Sequence, residues 1–543
     1  MTLTHLDLRD RRATFLALER EVFDLLVIGG GITGAGIARD AALRGLSVCL
    51  VEARDFASGT SSRSSKMVHG GLRYLIQGHV GIVGEAATER RTLRRIAPHL
   101  ATTLPMVITA KGKASLAKFR AGLWSYEKLG KVVPEERHEA VSAKELRKRE
   151  PHLITKGLAG AVCYPEYLTD DGRLTLANVR SAVAAGATVA SYAEATEMLY
   201  EAGAVCGTIV EGQLAGENLS ARVRAKTVVN AAGPWVDAIR KLEDADAAPK
   251  LQLTKGIHVV FSRDRFPVNS SVVMTTPDKR SIFTCPRGDY VYIGTTDTFY
   301  PDRDYWPKIE AEDIDYLVDV ANQHFDIEPL SHDDIVSVWS GVRPLLGEEG
   351  KSPSEISRKD EIIEGTGGVL SMAGGKLTAY RLMAQKLVDL CETKLGRTPT
   401  SCSTAETVLP GGDLDGTFAE CQRRLEEQGL GTSDAERLTR LYGSEATEIV
   451  ASGGDLKAEV QFAVQSEGAL TLEDYWVRRS GRAWFEVNGG IDCLVPAAAI
   501  MAELLNWSSD ERDRQVKACL AIREQEMSAV RKSGLHTQQT QTS

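Results

Sequence analysis

The residues with the clearest chemical purpose are three glycines. Gly29, Gly31 and Gly34 keep GxGxxG spacing directly after the apolar run Phe23-Asp24-Leu25-Leu26-Val27-Ile28, and they open an alanine-rich helix. A second strand follows and ends at Glu52, 18 residues beyond Gly34. Two strands, a helix and a terminal acid in this order are the βαβ dinucleotide motif. Gly29 permits the tight turn, Gly31 lets the backbone approach a pyrophosphate, and Gly34 lets the helix pack on the strand. The helix N-terminus attracts the phosphates. The Glu52 carboxylate can accept both hydroxyls of an adenosine ribose and would repel a 2′-phosphate, so NADP is disfavoured.

Two distant segments bear on which dinucleotide is bound. Thr227 to Trp235 is an apolar strand that breaks into Ala231-Ala232-Gly233-Pro234, small enough for the chain to pass close to a cofactor; an ordinary strand-to-loop exit reads the same way. Leu370 to Thr378 is a strand, a turn through Gly375 and a helix start. There the helix N-terminus plus Lys376 can stabilise negative charge at the pyrimidine end of a reduced flavin, with Gly375 and Leu377 beside it as cofactor contacts. A nicotinamide needs no such third return of the chain. No second GxGxxG is present, so electrons should come from an organic substrate rather than from NAD(P)H.

The elements that must position these residues fill a long chain. At 543 residues, with 43% apolar and 26% charged side chains, it has material for two or three domains with sizeable cores. Strand-like runs (Ser47–Val51, Thr227–Ala231, Ile257–Phe261, Tyr290–Gly294, Gly368–Met372) alternate with helical patterns up to about residue 395. Beyond Thr398-Pro399-Thr400, capping-box spacings at Ser433–Glu436, Thr471–Asp474 and Ser508–Glu511 predict a helical domain over 399–530. Residues 1–22 read as a short amphipathic leader and 531–543 as a flexible polar tail. A net charge of −9 argues against a nucleic-acid partner. The nine cysteines never lie closer than eleven positions apart, which excludes CxxC chemistry; no metal site is predicted, and the thiols suit a reducing, cytoplasmic setting. The charged N-terminus does not read as a secretory signal. No apolar stretch approaches the roughly 18 residues of a membrane span, Leu494–Ala502 being the longest, so membrane association is expected to be peripheral.

The sequence resembles the FAD-dependent glycerol-3-phosphate dehydrogenases, within the amino-acid-oxidase-like flavoproteins. The resemblance spans about residues 22 to 525. It rests on the fingerprint, on Thr60 to Tyr74 (TSSRSSKMVHGGLRY), on Lys255-Gly256-Ile257-His258, on Ile293 to Asp297, on Ser340 to Leu345 (SGVRPL), and on Gly374 to Arg381. It implies a Rossmann-like FAD-binding domain over 23–398, interleaved with a mixed-sheet α+β substrate domain (about 77–165 and 245–350), plus the helical C-terminal domain. It implies oxidation of glycerol 3-phosphate to dihydroxyacetone phosphate, FAD as cofactor, and a membrane quinone as electron acceptor. A homodimer stays open.

A phosphate monoester needs several cations; Arg73, Arg343 and Lys376 fall in the family blocks and Arg358 lies between the last two of them, with Tyr74 placed to hydrogen-bond substrate. The alternative for any one of them is internal pairing, for instance Arg343 with Glu348 or Asp297. By resemblance Arg343 lies near the reacting carbon or its oxygen, and Thr60, Ser61, Ser65, Lys66 and Gly71 lie along the flavin. His69 and His258 are both candidates for the base that takes the hydroxyl proton, with His69 preferred slightly. Rival functions are a glycerol-3-phosphate oxidase using oxygen, whose substrate-domain insertion the sequence lacks, an amino-acid oxidase, and a non-catalytic flavoprotein. Between Lys111 and Lys131 stand six basic residues and one acid, Glu127, with Leu116, Phe119, Leu123, Tyr126 and Leu129 recurring every three or four residues. Two readings stay open: a helix on an anionic leaflet with Trp124 at the interface, or a helix that spends its apolar stripe on the core.

Overall fold

Strand Val22–Ile28 is buried at every residue after Val22, as a strand covered on both faces must be. The computed structural model describes residues 5–70, 80–130, 132–276, 280–347 and 360–540. Among them two sheets carry the α/β part, one of eight strands and one of ten. In the first, Val22–Ile28 lies in parallel between Val48–Val51 and Ser220–Asn230. Thr188–Ala190 extends one side and Leu370–Gly374 the other, both in parallel. The strand order therefore reverses at Val22–Ile28, and ligands of such sheets sit at the carboxyl ends of the strands beside that reversal. Leu25 and Val27 face a core shared with helices Ile32–Leu43 and Tyr380–Lys394. Phe23, Leu26 and Ile28 face a second core, closed by Phe15 and Leu18 of the N-terminal helix Arg11–Glu19. The expected leader is thus part of the packing.

The second sheet is mixed. Leu251–Ser262 pairs antiparallel with Tyr290–Gly294 on one side and Ile335–Leu346 on the other. Thr102–Ala110 and Gly160–Leu168 continue the sheet through a parallel pairing of Ser271–Thr275 with Thr102–Ala110. Its strands come from chain on both sides of Ser220–Asn230, so the sheets interleave in sequence.

The C-terminal part is helical and docks through buried charge. Asp55, in the loop after Val48–Val51, accepts from Arg478 and Arg479 of the π-helical turn Asp474–Arg479. Arg173 and Arg180 of helix Asp171–Ala184 pair with Glu467 and Glu445. Of the three expected helix starts, Thr471 with Asp474 and Ser508 with Glu511 make their capping bonds. The third helix instead begins after Gly431, and the Ser433 hydroxyl bonds Asp289.

Two features go beyond what the sequence pattern announces. The C-terminal end continues as helix Ser509–Thr540, since propagation from an existing helix needs only one bond per residue and the segment holds no proline. Among the described residues one helical stretch, Val487–Leu505 of 19 residues, is apolar enough in composition to cross a membrane. A search for uninterrupted apolar residues stops at Asp492 and Glu503, and left-handed backbone at Asn488, Gly489 and Gly490 breaks the stretch further. Leu494, Ala497, Ala498 and Met501 are buried, so its inner face is core.

Candidate active site

The fingerprint turn sits where the strand order reverses. Gly29 has φ +111°, and a methyl there would stand 2.6 Å from the Ala231 carbonyl oxygen. A methyl on Gly34 would stand 1.9 Å from the Gly29 oxygen, so helix and turn touch through bare backbone. Gly31 is the N-cap of helix Ile32–Leu43 with no side-chain cap of its own; the Ser61 hydroxyl accepts from Ile32 N–H at 2.9 Å. Glu52 accepts from Gly30 N–H at 2.7 Å with one oxygen and from Arg54 N–H at 2.9 Å with the other. Burial pushes its carboxyl above the usual range, and the two amides pull it part-way back. Gly233 heads the short turn Gly233–Trp235, fixed by Asn230, whose amide donates to the Val236 carbonyl and the Ser371 hydroxyl.

The segment Thr60 to Lys66 runs from this turn onto the second sheet. Thr60 donates to the Val342 carbonyl at 2.6 Å, and Tyr292 donates to the Ser65 carbonyl at 2.8 Å. The Ser65 hydroxyl and His258 Nε2 are 2.9 Å apart. His258 is buried and stacked on Trp339, ring centroids 4.6 Å apart. Burial, then Arg343 and Lys66, hold its imidazole well below the ordinary histidine value, so it stays neutral at physiological pH. Lys66 is also buried, and its ammonium donates to Asp171 at 2.6 Å and the Ser62 carbonyl at 2.8 Å. The Lys66 charge is therefore spent on Asp171 inside the protein.

Arg343 faces Thr254 across the strand pair and lies over Gly256, where a methyl would be 2.1 Å from Nη2. It donates to the Thr295 hydroxyl at 2.8 Å and to Asp297 at 3.2 Å. The pairing with Asp297 left open by the sequence is present, and the side chain keeps 18% exposure.

His69 is drawn to the third return of the chain, Thr378 donating to its carbonyl at 3.2 Å. Gly375, Lys376 and Leu377 form the turn between strand Leu370–Gly374 and helix Tyr380–Lys394. Behind His69, the Gly70 N–H is shared by both Glu166 oxygens at 3.1 Å, and Arg90 neutralises that carboxylate at 2.8 Å. Burial still pushes Glu166 up, with Arg90 opposing. A methyl on Gly70 would stand 1.9 Å from the Tyr126 hydroxyl. Gly70→Ala is therefore expected to displace this turn and lower flavin content at purification, and Tyr126→Leu in the same chain to restore part of it. Full flavin content in the single variant would contradict the close packing. Gly71, Arg73, Tyr74 and Arg358 lie outside the described residues.

Residues 24–381 match the family described as FAD dependent oxidoreductase, and residues 402–512 that described as the C-terminal domain of alpha-glycerophosphate oxidase. A protein of Staphylococcus aureus (strain USA300) called aerobic glycerol-3-phosphate dehydrogenase is 42% identical over 517 residues, 90% of this chain and 92% of its own. The chain belongs to the FAD-dependent glycerol-3-phosphate dehydrogenase family. A solved family structure, glycerol-3-phosphate dehydrogenase from Bacillus halodurans complexed with FAD, is 33% identical and covers 96% of this chain and 99% of its own with TM-score 0.80. The fold alone is shared with an L-alpha-glycerophosphate oxidase from Mycoplasma pneumoniae at 18% identity, 72% and 99% coverage and TM-score 0.56.

The protein is thus an FAD-dependent oxidoreductase of that family, and its residues fit the cofactor. The bare-backbone turn Gly29–Gly31 and the helix it opens suit a pyrophosphate, and Glu52 keeps acceptor capacity on each oxygen for a ribose. Sequence reasoning missed the supports. Asn230, Glu166, Arg90 and Tyr126 carry no motif. Thr295 stood in a family block but had no visible reason to face Arg343, whereas Asp297 was one of two acids the sequence offered it.

Proposed function

We propose that this protein oxidises sn-glycerol 3-phosphate to dihydroxyacetone phosphate and passes the electrons to a membrane quinone. The likeness over 90% of the chain to an aerobic glycerol-3-phosphate dehydrogenase carries the substrate assignment. Bound FAD supplies a two-electron acceptor for hydride. In this reading Arg343, aimed by Thr295 and Asp297, holds the substrate oxygen that gains negative charge. Lys376, Arg73 and Arg358 take the phosphate, and Tyr74 hydrogen-bonds the substrate. His258, neutral and engaged with Ser65, orients that segment, which leaves His69 to receive the hydroxyl proton. The test is anaerobic bleaching of the flavin by glycerol 3-phosphate, repeated with His69→Ala; a flavin that stays oxidised with this substrate and responds to another small alcohol or amino acid overturns the assignment. Oxygen as acceptor is the second reading, favoured by the C-terminal match at 402–512; stoichiometric hydrogen peroxide without quinone would establish it.

We further propose that the protein works at the cytoplasmic face of the membrane, a setting that suits its nine free thiols. In helix Lys113–Leu129, Leu123 and Tyr126 are buried and Leu116 and Phe119 pack on the same core, so the apolar stripe is spent inward. The outward face carries Lys113, Lys118, Arg120 and Lys128, all exposed, around Trp124 at 58% exposure. That face supports attraction to anionic lipid rather than insertion. Reversing Lys113, Arg120 and Lys128 to glutamate is expected to weaken binding to anionic vesicles roughly 100-fold at about 1 kcal/mol per charge. Unchanged binding in a sedimentation assay would remove this helix from the proposal.

A further inference from the structure

The cofactor cleft has two walls in the first sheet's loops. One is the run from Glu52 to Arg63, and the other is the turn from Ala231 to Trp235. A segment of the second sheet's chain, between strand Thr298–Phe299 and helix Ala311–His324, crosses from one wall to the other. Tyr305 stacks on Trp235 with centroids 4.4 Å apart and planes 23° apart. The Arg54 guanidinium lies 4.0 Å from the centre of the same ring. Arg54 is the residue whose N–H holds the ribose-side acid Glu52. Trp235 in turn lies against Gly59, where a methyl would stand 3.0 Å from its ring.

The next residue repeats the contact further along the same wall. Arg63, one residue past the turn Thr60–Ser62, has its guanidinium 3.8 Å from the Trp306 ring centre. Arg63 is buried, and its Nε and Nη1 have no hydrogen-bond partner among the described residues. The Trp306 face is thus a principal interaction of that cation. The Trp306 carbonyl accepts from Gln525 on the C-terminal helix at 3.1 Å, which pins the segment from its other side.

We propose that Tyr305, beside the ribose-side residues, and Trp306, which anchors it to Arg63 further along the same wall, form a strap laid by the substrate-binding sheet across the FAD cleft, and that this strap sets how long FAD stays bound. Its rings touch both walls, so the cofactor cannot leave sideways without parting Tyr305 from Trp235 or from Arg54. Neither ring belongs to the fingerprint or to the residues assigned to substrate chemistry. Retention is therefore separable from the proposed hydride transfer, and the inference rests on FAD binding alone, whatever the substrate.

The experiment follows free-FAD fluorescence after diluting the holoenzyme, for wild type, Tyr305→Ala, Tyr305→Leu and Tyr305→Phe, with melting curves of the FAD-stripped proteins alongside. Tyr305→Ala and Tyr305→Leu are expected to release FAD roughly tenfold faster, the size of one aromatic pair plus one partly desolvated cation–π contact. Tyr305→Phe keeps the ring and is expected to release at the wild-type rate, and the stripped proteins to melt together. Should Tyr305→Ala fail to fold, Tyr305→Leu, which fills the space without a stacking face, reads the same rate. Release at the wild-type rate in both variants overturns the strap. So does faster release accompanied by an equal loss of stability in the stripped protein, which would mark general loosening, or release from Tyr305→Phe as fast as from Tyr305→Ala.

Discussion

Arg343→Ala is expected to lower kcat/KM for glycerol 3-phosphate by about 10²–10³-fold while the protein stays folded and yellow. The strand pairing sets Arg343 opposite Thr254, and the absent side chain of Gly256 gives its fork room to lie across the sheet. Thr295 and Asp297 hold it there. A planar fork fixed at two points needs no reorganisation as charge develops on the substrate oxygen, which is why its removal costs more than one ordinary hydrogen bond. The split between constants identifies its partner. A contact made only as the oxygen becomes anionic lowers kcat and kcat/KM together, whereas a grip on the phosphate raises KM at constant kcat. Arg343→Lys restores the charge without the fork and should fall between. Because alanine also takes a cation from Asp297, the pair Arg343→Ala with Asp297→Asn controls for a stranded carboxylate. Wild-type kcat/KM in Arg343→Ala would remove this residue from the site.

What the sequence made legible follows from how far apart the cooperating residues lie. The dinucleotide turn could be read because Gly29, Gly31, Gly34 and Glu52 act within one βαβ unit, where spacing is geometry. The helix Lys113–Leu129 could be read from its period, but not which way its stripe faces, since an apolar stripe is the same whether lipid or core receives it. His69 and His258 could not be separated, because the difference is burial: His258 lies against Trp339 and Tyr292, from two other strands. For Arg343 the sequence offered Glu348 or Asp297; the choice of Asp297, and the added bond to Thr295, depend on a sheet pairing that no local pattern announces. The aromatic strap is in the same position, since Tyr305 and Trp235 meet only once both sheets are formed.

Asp55→Ala is expected to destabilise the docking of the C-terminal helices by about 3–5 kcal/mol, the cost of leaving a buried ion pair with one partner. Asp55 is fully buried and serves two guanidinium groups. Arg478 keeps Glu473 and Asp474 when Asp55 is removed. Arg479 is left with the Glu467 carbonyl, so the loss falls chiefly on it. One gain offsets a little: burial and the Asp55 charge beside it both push Asp474 up, and that repulsion ends. The pH dependence has a definite sign. Burial would raise Asp55, but Arg479 and Arg478 outweigh it and hold the carboxyl below its ordinary value. A depressed folded value means the stabilisation is whole above the unfolded value of about 4 and drains as pH falls through the folded one. Glu459, lowered to about 2 against burial by Arg437 and Arg482 in the same helical domain, adds to the same limb. Wild type should therefore lose its urea midpoint steeply below about pH 4, and Asp55→Ala should start lower at neutral pH and lose less on acidification. Trp476 and Trp484, buried in that domain, report the transition by fluorescence. Parallel acid limbs in the two proteins would show that the Asp55 charge does not hold the domain in place.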